Sequence, residues 1–245
     1  MTQPLWRPTP DRIARANLTR FTGFVTERWG NSCPDYQALY RWSIESPEQF
    51  WLSLWDFCGV IGEAGNDTVL VDGEQMPGAR WFPAARLNYA ENLLRRDTDD
   101  SAIVFQGEDR VRRELSWSGL YEQVAKLARA LRTLEVRAGD RVAAFIPNLP
   151  ESVSAMLAVA SIGAVWTSCS PDFGVQGVLD RFAQVEPAIL FCADGYYYNG
   201  KWHDSLAVVE QIARHLPSLR HIIVVPYNHE HKPAPRPHMT QLQEP

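Results

Sequence analysis

The chain has 245 residues, of which 45% are hydrophobic and 22% are charged, and its formal net charge is −5. This composition is typical of a globular protein with one large domain, or a smaller domain with an appendage. The mild negative charge argues against nucleic acid or an anionic membrane surface as a partner. The longest apolar runs, such as AMLAVASIGAVW, are too short to span a bilayer, so no membrane association is expected.

The N-terminal segment and the cysteines fit a cytoplasmic protein. The segment MTQPLWRPTPDRIARAN has charges and prolines but no apolar core, which argues against a secretory signal. The cysteines at positions 33, 58, 169 and 192 form no C-x-x-C pair and are expected to be reduced thiols. The stretch NHEHKPAPRPHMTQLQEP is interpreted as a loop without a metal site, because it lacks ligand spacing and acidic partners.

The first hundred residues are predicted to form helices and loops. In DRIARANLTRFTGFVTERWG, apolar residues recur near helical spacing and Gly30 is a stop signal. The apolar positions of this helix are Ile13, Leu18, Phe21, Phe24 and Val25. In SPEQFWLSLWDFCGV, Ser46, Pro47 and Gln49 form a capping-box pattern with proline at the first helical position. The predicted buried face of this second helix is Phe50, Trp51, Leu54, Trp55 and Cys58.

From about residue 101 the pattern changes to alternating strands and helices. SAIVFQ and RRELSW are predicted strands, and SGLYEQVAKLARALRTLEV has apolar residues on one helical face. Four more strand-like runs follow: RVAAFI, AVWTSC, AILFCA and HIIVVP. The helical stretches between them are PESVSAMLAVASIG, GVQGVLDRFAQVE and WHDSLAVVEQIARHL. This alternation predicts βαβ units and a parallel sheet whose strands are covered on both faces.

The ends of the predicted strands indicate where a ligand would bind. In an open parallel sheet, ligands bind beyond the carboxyl ends of the strands. Here those ends lead into Pro147-Asn148 and into residues 169–174, 194–201 and 226–228. The second loop reads CSPDFG, and the third contains GYYYNGK with an Asn-Gly turn signal. Both loops are rich in functional side chains, so we expect the ligand to bind there. The alternative is that they are surface loops without a ligand.

Several segments together resemble the acetoacetyl-CoA synthetase branch of the AMP-forming acyl-CoA synthetases, in the adenylate-forming superfamily. Within TSCSPDFGVQGVLDRFAQVEPAILFCADGYYYNGK, the segments CSPDFG and GYYYNGK look characteristic of that branch. ARWFPAARLNYAENLL, a loop leading into a short helix, is similar to an N-terminal extension of acetyl- and acetoacetyl-CoA synthetases. LSWSGLYEQVAKLARAL and GDRVAAFIPNLPESVSAMLAVASIGAVW are similar to two conserved strand-to-helix elements. The resemblance covers roughly residues 30 to 245.

This resemblance implies an α/β fold in two parts. A helix-rich N-terminal extension would occupy residues 1–97, and residues 98–245 would form the first part of the doubly wound βαβ sheet of the AMP-binding domain. The family also needs a Ser/Thr/Gly-rich loop ending in lysine for ATP, acidic residues for ribose and magnesium, and a C-terminal lysine. None of these is found in the chain, so we expect an N-terminal fragment that is truncated before the phosphate loop and inactive alone.

The implied parent activity is that of an acetoacetate–CoA ligase. It converts ATP, acetoacetate and CoA into AMP, diphosphate and acetoacetyl-CoA, and it uses Mg²⁺. No catalytic residue and no metal ligand is expected in this chain. By likeness to acetyl-CoA synthetases, the candidates at the CoA entrance are Ser170, Pro171, Asp172, Tyr198 and Lys201. Lys201 offers a point charge for a phosphate, and the tyrosines would stack on adenine or wall the pantetheine channel.

Two alternatives stay open at this point. The tyrosines at 196–198 would instead pack against the rest of the protein. The whole chain would instead be a non-catalytic α/β module derived from an acyl-CoA synthetase, which binds a nucleotide, CoA or a partner protein. For a sheet cut partway, we further expect HIIVVP to be an exposed edge strand through which the chain associates.

Overall fold

A computed structural model describes residues 5–108, 111–227 and 239–241 of the chain. The chain divides into two compact units, residues 1–87 and 88–245. Each unit has its own hydrophobic core. Within the described ranges, no helix combines the length and the apolar composition that a membrane span requires.

The described part of the first unit contains helices and short antiparallel strand pairs. The helices are α1 (Pro10–Ala14), α2 (Asn17–Trp29), α3 (Tyr36–Glu45) and α4 (Pro47–Phe57). The strands are β1 (Gly62–Glu63), β2 (Leu70–Val71), β3 (Arg80–Trp81) and β4 (Arg86–Leu87). β1 pairs with β4, and β2 pairs with β3. The helical character predicted for this region is therefore confirmed, although α3, which begins after its cap Asp35, has no counterpart among the predicted elements.

The first predicted helix is interrupted. It consists of α1 and α2, and α2 ends at Gly30, whose left-handed φ of 68° confirms the stop signal. Phe21 and Val25 are buried as predicted, but Ile13 and Leu18 are exposed. The apolar spacing therefore predicts the buried positions of α2 correctly at Phe21 and Val25, which are one helical turn apart, and not at the positions before them.

The second predicted helix, α4, has a different cap and keeps only part of its predicted buried face. It begins at Pro47 as predicted, but Ser46 makes no side-chain capping hydrogen bond, so the capping box is wrong. Phe50 and Leu54 pack against the core of this unit as predicted. Trp51 and Cys58 are exposed, and the fully buried residue of α4 is Ser53. The Ser53 hydroxyl accepts from Trp29 Nε1 at 2.8 Å and donates to the carbonyl of Gln49 at 2.7 Å. Apolar spacing cannot predict a buried serine of this kind, whose hydroxyl is stabilised by two hydrogen bonds.

The second unit follows the predicted alternation of strands and helices. Its helices are α5 (Tyr89–Leu93), α6 (Trp117–Thr133), α7 (Pro150–Ser161), α8 (Val175–Phe182) and α9 (Leu206–Arg214). Its strands are β5 (Ser101–Gly107), β6 (Val111–Ser116), β7 (Arg141–Phe145), β8 (Val165–Cys169), β9 (Ile189–Ala193), β10 (Gly195–Tyr198), β11 (Lys201–Asp204), β12 (His221–Val225) and β13 (Met239–Gln241). β5 and β6 form an antiparallel hairpin, and so do β10 and β11.

A five-stranded parallel sheet is the frame of this unit, in the order β13-β12-β9-β7-β8. The chain starts at β7, places β8 on one side of it, and then returns to place β9, β12 and β13 on the other side. This order is that of a doubly wound sheet, with its reversal at β7. The predicted parallel α/β sheet is therefore confirmed.

The prediction for the end of the sheet is wrong. The segment HIIVVP is not an edge strand, because β12 pairs with β9 on one side and with β13 on the other. Residues 239–241, in the stretch interpreted as a loop, form β13. The remainder of that stretch, residues 228–238 and 242–245, lies outside the described residues.

Helices cover both faces of the sheet. The strand residues facing α6 and α7 are Val142, Ala144, Ile189, Phe191 and Ile223. Those facing α8 and α9 are Ala143, Phe145, Leu190, Cys192 and Val224. Successive strand residues point to opposite faces of the sheet. A strand that is covered by helices on both faces therefore has no position open to solvent, and its sequence is an unbroken apolar run.

Candidate functional site

A cavity of about 740 Å³ opens at the carboxyl end of the sheet in the second unit. Its walls come from β5, from the loop between β7 and α7, from the loop after β8, and from β10. Both its position, beside the strand where the order reverses, and its size are typical of a ligand site. Apolar side chains dominate the lining, including Phe105, Ile146, Met156 and Trp166.

The CSPDFG segment forms one wall of this cavity. Ser170, Pro171 and Asp172 all line it, as does the buried Cys169 at the end of β8. The backbone N–H of Phe173 donates to the carbonyl of Ser170 at 3.2 Å, which makes the segment a tight turn into α8. Burial raises the pKa of the Cys169 thiol, so this group is neutral at physiological pH.

The GYYYNGK segment is a hairpin rather than a loop. β10 and β11 are joined by Asn199 and Gly200, whose φ angles of 51° and 71° define a type I′ turn. The Asn-Gly turn signal is thereby confirmed. Residues 202–204, which are predicted to be helical, lie in β11 instead, and α9 begins at Leu206.

The three tyrosines alternate between the two faces of this hairpin. Tyr196 and Tyr198 face the cavity and line it. Tyr197 points the other way and packs against Trp202 and Tyr227, with ring centroids 5.1 and 6.1 Å away. Tyr197 therefore has its packing partners within this chain, which leaves Tyr196 and Tyr198 for contact with a ligand or with other residues.

Tyr196 is the more confined of the two cavity-facing tyrosines. Its ring stacks on that of His203, its register partner in β11, at a centroid distance of 5.1 Å. Burial raises the pKa of Tyr196, and the nearby Asp172 carboxylate and Tyr198 phenol raise it further. Tyr196 is therefore a neutral phenol at physiological pH, able to donate a hydrogen bond into the cavity.

Lys201 lies beside the cavity and is not part of its lining. It is exposed and is the register partner of Tyr198 across the hairpin. Directly opposed residues of an antiparallel pair share a face, so Lys201 is on the cavity side of the hairpin. Four of the five residues predicted for the site thus line one cavity, and the fifth lies at its rim.

An ion pair that the sequence does not reveal fixes another wall. Arg113 of β6 contacts Glu151 at the start of α7, with Nη1 and Oε1 2.5 Å apart. The Arg113 guanidinium also lies 5.3 Å from the centre of the Phe105 ring. These contacts tie the β5–β6 hairpin to α7, and both of those elements line the cavity.

Glu108 is a second residue that sequence reasoning missed. Its two carboxylate oxygens accept hydrogen bonds from the backbone N–H groups of Asn199 and Gly200, each at 3.0 Å. These bonds, and to a smaller extent His203, lower the pKa of Glu108. The partners are 91 and 92 residues away, and no local pattern links positions so distant in the chain.

The base of the β10–β11 hairpin is anchored to the sheet. Asp194, which follows β9, is buried, and its Oδ1 accepts from the backbone N–H of Tyr227 at 2.7 Å. Its own N–H donates to the carbonyl of Val225 at 3.1 Å. Gly195 comes next, and a Cβ at this position would clash with the Trp202 ring and the His203 carbonyl. The close approach of the two strands therefore requires glycine.

Gly107 provides a test of this packing. A Cβ at Gly107 would clash with the hydroxyl oxygen of Tyr227, which is buried above it. Gly107→Ala is expected to lower the free energy of unfolding by about 1–3 kcal/mol, the range for overpacking. Tyr227→Phe removes that oxygen, so the cost of Gly107→Ala should shrink in this background. A double-mutant cycle from urea denaturation measures the difference, and equal costs in both backgrounds would contradict the contact.

The described residues offer no cluster of metal ligands. Among residues 5–108 and 111–227, the His, Cys, Asp and Glu side chains form no group of three or more that could hold a metal ion. All four cysteines are free thiols.

The sequence of the chain, including the sheet and the cavity, matches the models of known protein families. Residues 90–244 match the sequence model described as AMP-binding enzyme, and residues 36–93 match the one described as acetyl-coenzyme A synthetase N-terminus. The first match covers more than half of the chain, so the chain belongs to the AMP-binding enzyme family.

Within this family the chain is similar to acetoacetyl-CoA synthetases. It is 47% identical to the one from Rhizobium meliloti (strain 1021) and 39% identical to the one from Macaca fascicularis, over 92% of the chain in each case. The solved structure of acetoacetyl-CoA synthetase from Streptomyces lividans matches 98% of the chain with a TM-score of 0.89 and 44% identity. These findings confirm the resemblance and the fold that it implies.

The similarity is confined to one part of each relative. The chain spans 34% of the length of the two curated relatives and 37% of the solved structure. About two thirds of each relative therefore lies outside the matched region.

Proposed function

We propose that this chain is the CoA-entrance portion of an acetoacetate–CoA ligase. The observation that carries the proposal is its 47% identity to an acetoacetyl-CoA synthetase across nearly the whole chain. The cavity lends further support, since CSPDFG and GYYYNGK, the two segments that resemble this branch, meet around it. The proposed protein acts in the cytoplasm and uses ATP, Mg²⁺, acetoacetate and CoA.

The proposed reaction has two steps. First, a carboxylate oxygen of acetoacetate attacks the α-phosphorus of ATP, and the bond to pyrophosphate breaks to give acetoacetyl-AMP. Mg²⁺ bound to ATP would spread the charge of the phosphates. Then the thiolate of CoA attacks the acyl carbonyl, and the carbon–oxygen bond to AMP breaks to release AMP and acetoacetyl-CoA. The adenylate activates the acyl group for this second displacement.

In this proposal the described residues serve the second step. The pantetheine arm of CoA is long, thin and largely uncharged, and it suits a cavity lined mainly by apolar side chains. Ser170, Asp172 and the Tyr196 phenol are among the polar groups of the lining that would orient it. Lys201 at the rim would meet a CoA phosphate as a point charge, with Tyr198 beside it for stacking.

A chimera tests the proposal. In it, this chain replaces the matching 37% of the Streptomyces lividans acetoacetyl-CoA synthetase. We expect the chimera to form acetoacetyl-CoA only when ATP, acetoacetate and CoA are all present. The 245-residue chain alone should show no acetoacetate-dependent pyrophosphate exchange, because its sequence holds no Ser/Thr/Gly-rich string ending in lysine for the ATP phosphates.

Two results would count against the proposal. A chimera that folds and binds CoA, but forms no acyl-adenylate, would favour the non-catalytic module. Acetoacetate-dependent pyrophosphate exchange by the chain alone, abolished by a substitution within it, would show that the adenylation groups lie elsewhere than proposed. Circular dichroism establishes folding, and acetate in place of acetoacetate controls for acid specificity.

A further inference from the structure

The tip of the β10–β11 hairpin has two backbone N–H groups that its own strands do not use. In a two-residue hairpin the ladder pairs the residues that flank the turn, here Tyr198 and Lys201. The N–H groups of the turn residues Asn199 and Gly200 therefore need a partner from elsewhere. Both are directed at Glu108, one at each carboxylate oxygen, at 3.0 Å.

Glu108 connects two walls of the cavity. It follows Gly107, the last residue of β5, and β5 lines the cavity through Ile103, Val104 and Phe105. The hairpin that it contacts lines the cavity from another side. The carboxylate therefore sets the distance between the end of one wall and the tip of the other.

Aromatic packing attaches one face of the hairpin to the rest of the second unit. On that face Tyr197, Trp202 and Tyr227 form a cluster with centroid distances of 5.1 to 6.1 Å, and Phe105 lies 6.2 Å from Tyr227. This cluster holds the body of the hairpin. The Glu108 contact holds its tip, where Tyr198 and Lys201 are located.

The solvent exposure of Glu108 indicates that its contact with the turn orients the hairpin tip rather than stabilising the fold. Glu108 is exposed, and an exposed charged contact competes with water and adds little to global stability. Its carboxylate is ionised at neutral pH, because the two N–H bonds favour the charged form. A contact of this kind selects one orientation of the tip without being needed for folding.

We propose that Glu108 is a positioning residue for the CoA step: it holds the hairpin tip so that Tyr198 and Lys201 lie at the mouth of the cavity. This role rests on the proposed function. Because CoA enters after acetoacetyl-AMP has formed, a displaced tip affects thioester formation and leaves adenylation unchanged. In this role Glu108 contacts none of the substrates ATP, acetoacetate and CoA, and it acts only through the turn at Asn199 and Gly200.

The experiment compares Glu108→Ala and Glu108→Gln with the unchanged chain. Hydrogen–deuterium exchange on the 245-residue chain reports the Asn199 and Gly200 amides directly. In the chimera with the Streptomyces lividans enzyme, KM for CoA and acetoacetate-dependent pyrophosphate exchange are measured side by side. Glu122→Ala is the matched control, since it removes an exposed carboxylate that pairs with Lys126 on α6.

We expect the Asn199 and Gly200 amides to exchange fastest in Glu108→Ala, more slowly in Glu108→Gln and slowest in the unchanged chain. Glutamine is intermediate because it keeps one acceptor oxygen. KM for CoA should rise about fivefold in Glu108→Ala, the upper range for an exposed charged contact, with pyrophosphate exchange unchanged. Glu122→Ala should change neither quantity. Together these results would support the positioning role.

Three other outcomes would overturn it. Unchanged amide exchange in Glu108→Ala would show that the carboxylate does not hold the tip. An unchanged KM for CoA would show that the tip does not serve CoA, and equal losses of both activities would indicate a purely structural residue. If the unsubstituted chimera forms no acetoacetyl-CoA, the proposed function itself fails, which is a separate result from any effect of Glu108.

Discussion

Phe191→Ala should lower the free energy of unfolding by about 3–5 kcal/mol, as expected when a buried phenylalanine is truncated. Phe191 is fully buried in β9, near the middle of the parallel sheet. It lies in register between Ala144 of β7 and Ile223 of β12, and its ring centre is 5.9 Å from that of Trp166. Strands that are hydrogen-bonded on both sides cannot collapse into the space left by the ring, so the cavity persists.

The measurement is chemical denaturation followed by far-ultraviolet circular dichroism. Tyr121→Ala is the control, because it removes an aromatic ring that is 54% exposed on α6. Its effect should stay within about 0.5 kcal/mol, as for most surface substitutions. If Phe191→Ala costs no more than Tyr121→Ala, β9 cannot be the centre of the core.

The sheet could be predicted from the sequence because its signal is local. A strand such as AILFCA is buried on both faces, so every residue in it is apolar, and the stretch is recognisable without knowledge of its neighbours. The strand ends follow from the same runs. The placement of CSPDFG and GYYYNGK at one edge of the sheet follows in turn, since parallel strands end on the same side.

The features that were missed depend on contacts between separate elements. The helix assigned to WHDSLAVV begins four residues late because Trp202 and His203 pair with Tyr197 and Tyr196 across the turn. The bond from Glu108 to Asn199 and the ion pair of Arg113 with Glu151 join separate elements. In the first unit, the buried polar contact of Ser53 with Trp29 lies beside the part of the predicted α4 face that does pack against the core. Local patterns report whether a side chain is buried more readily than they report what it contacts.

Lys201→Ala should separate the two steps of the proposed reaction. Lys201 is exposed at the rim of the cavity, opposite Tyr198, and no wall of the cavity depends on it. If it meets a CoA phosphate, it contributes nothing before CoA arrives. A lost contact between a charge and a phosphate costs at most about 1.5–3 kcal/mol, so CoA use should weaken by roughly ten- to a hundredfold. Acetoacetate-dependent pyrophosphate exchange should stay close to that of the unchanged chimera.

The comparison of Lys201→Ala with Lys201→Arg and Tyr198→Ala makes the test specific. Arginine keeps the charge and should retain most of the CoA use, although its planar fork fits a phosphate differently from an ammonium group. Tyr198→Ala should also weaken CoA use alone, since the phenol lines the cavity and is 65% exposed. All three variants are assayed in the chimera by pyrophosphate exchange beside thioester formation. Equal losses in both assays would mean that the hairpin only supports the fold, and its tyrosines would then be packing residues rather than binding residues.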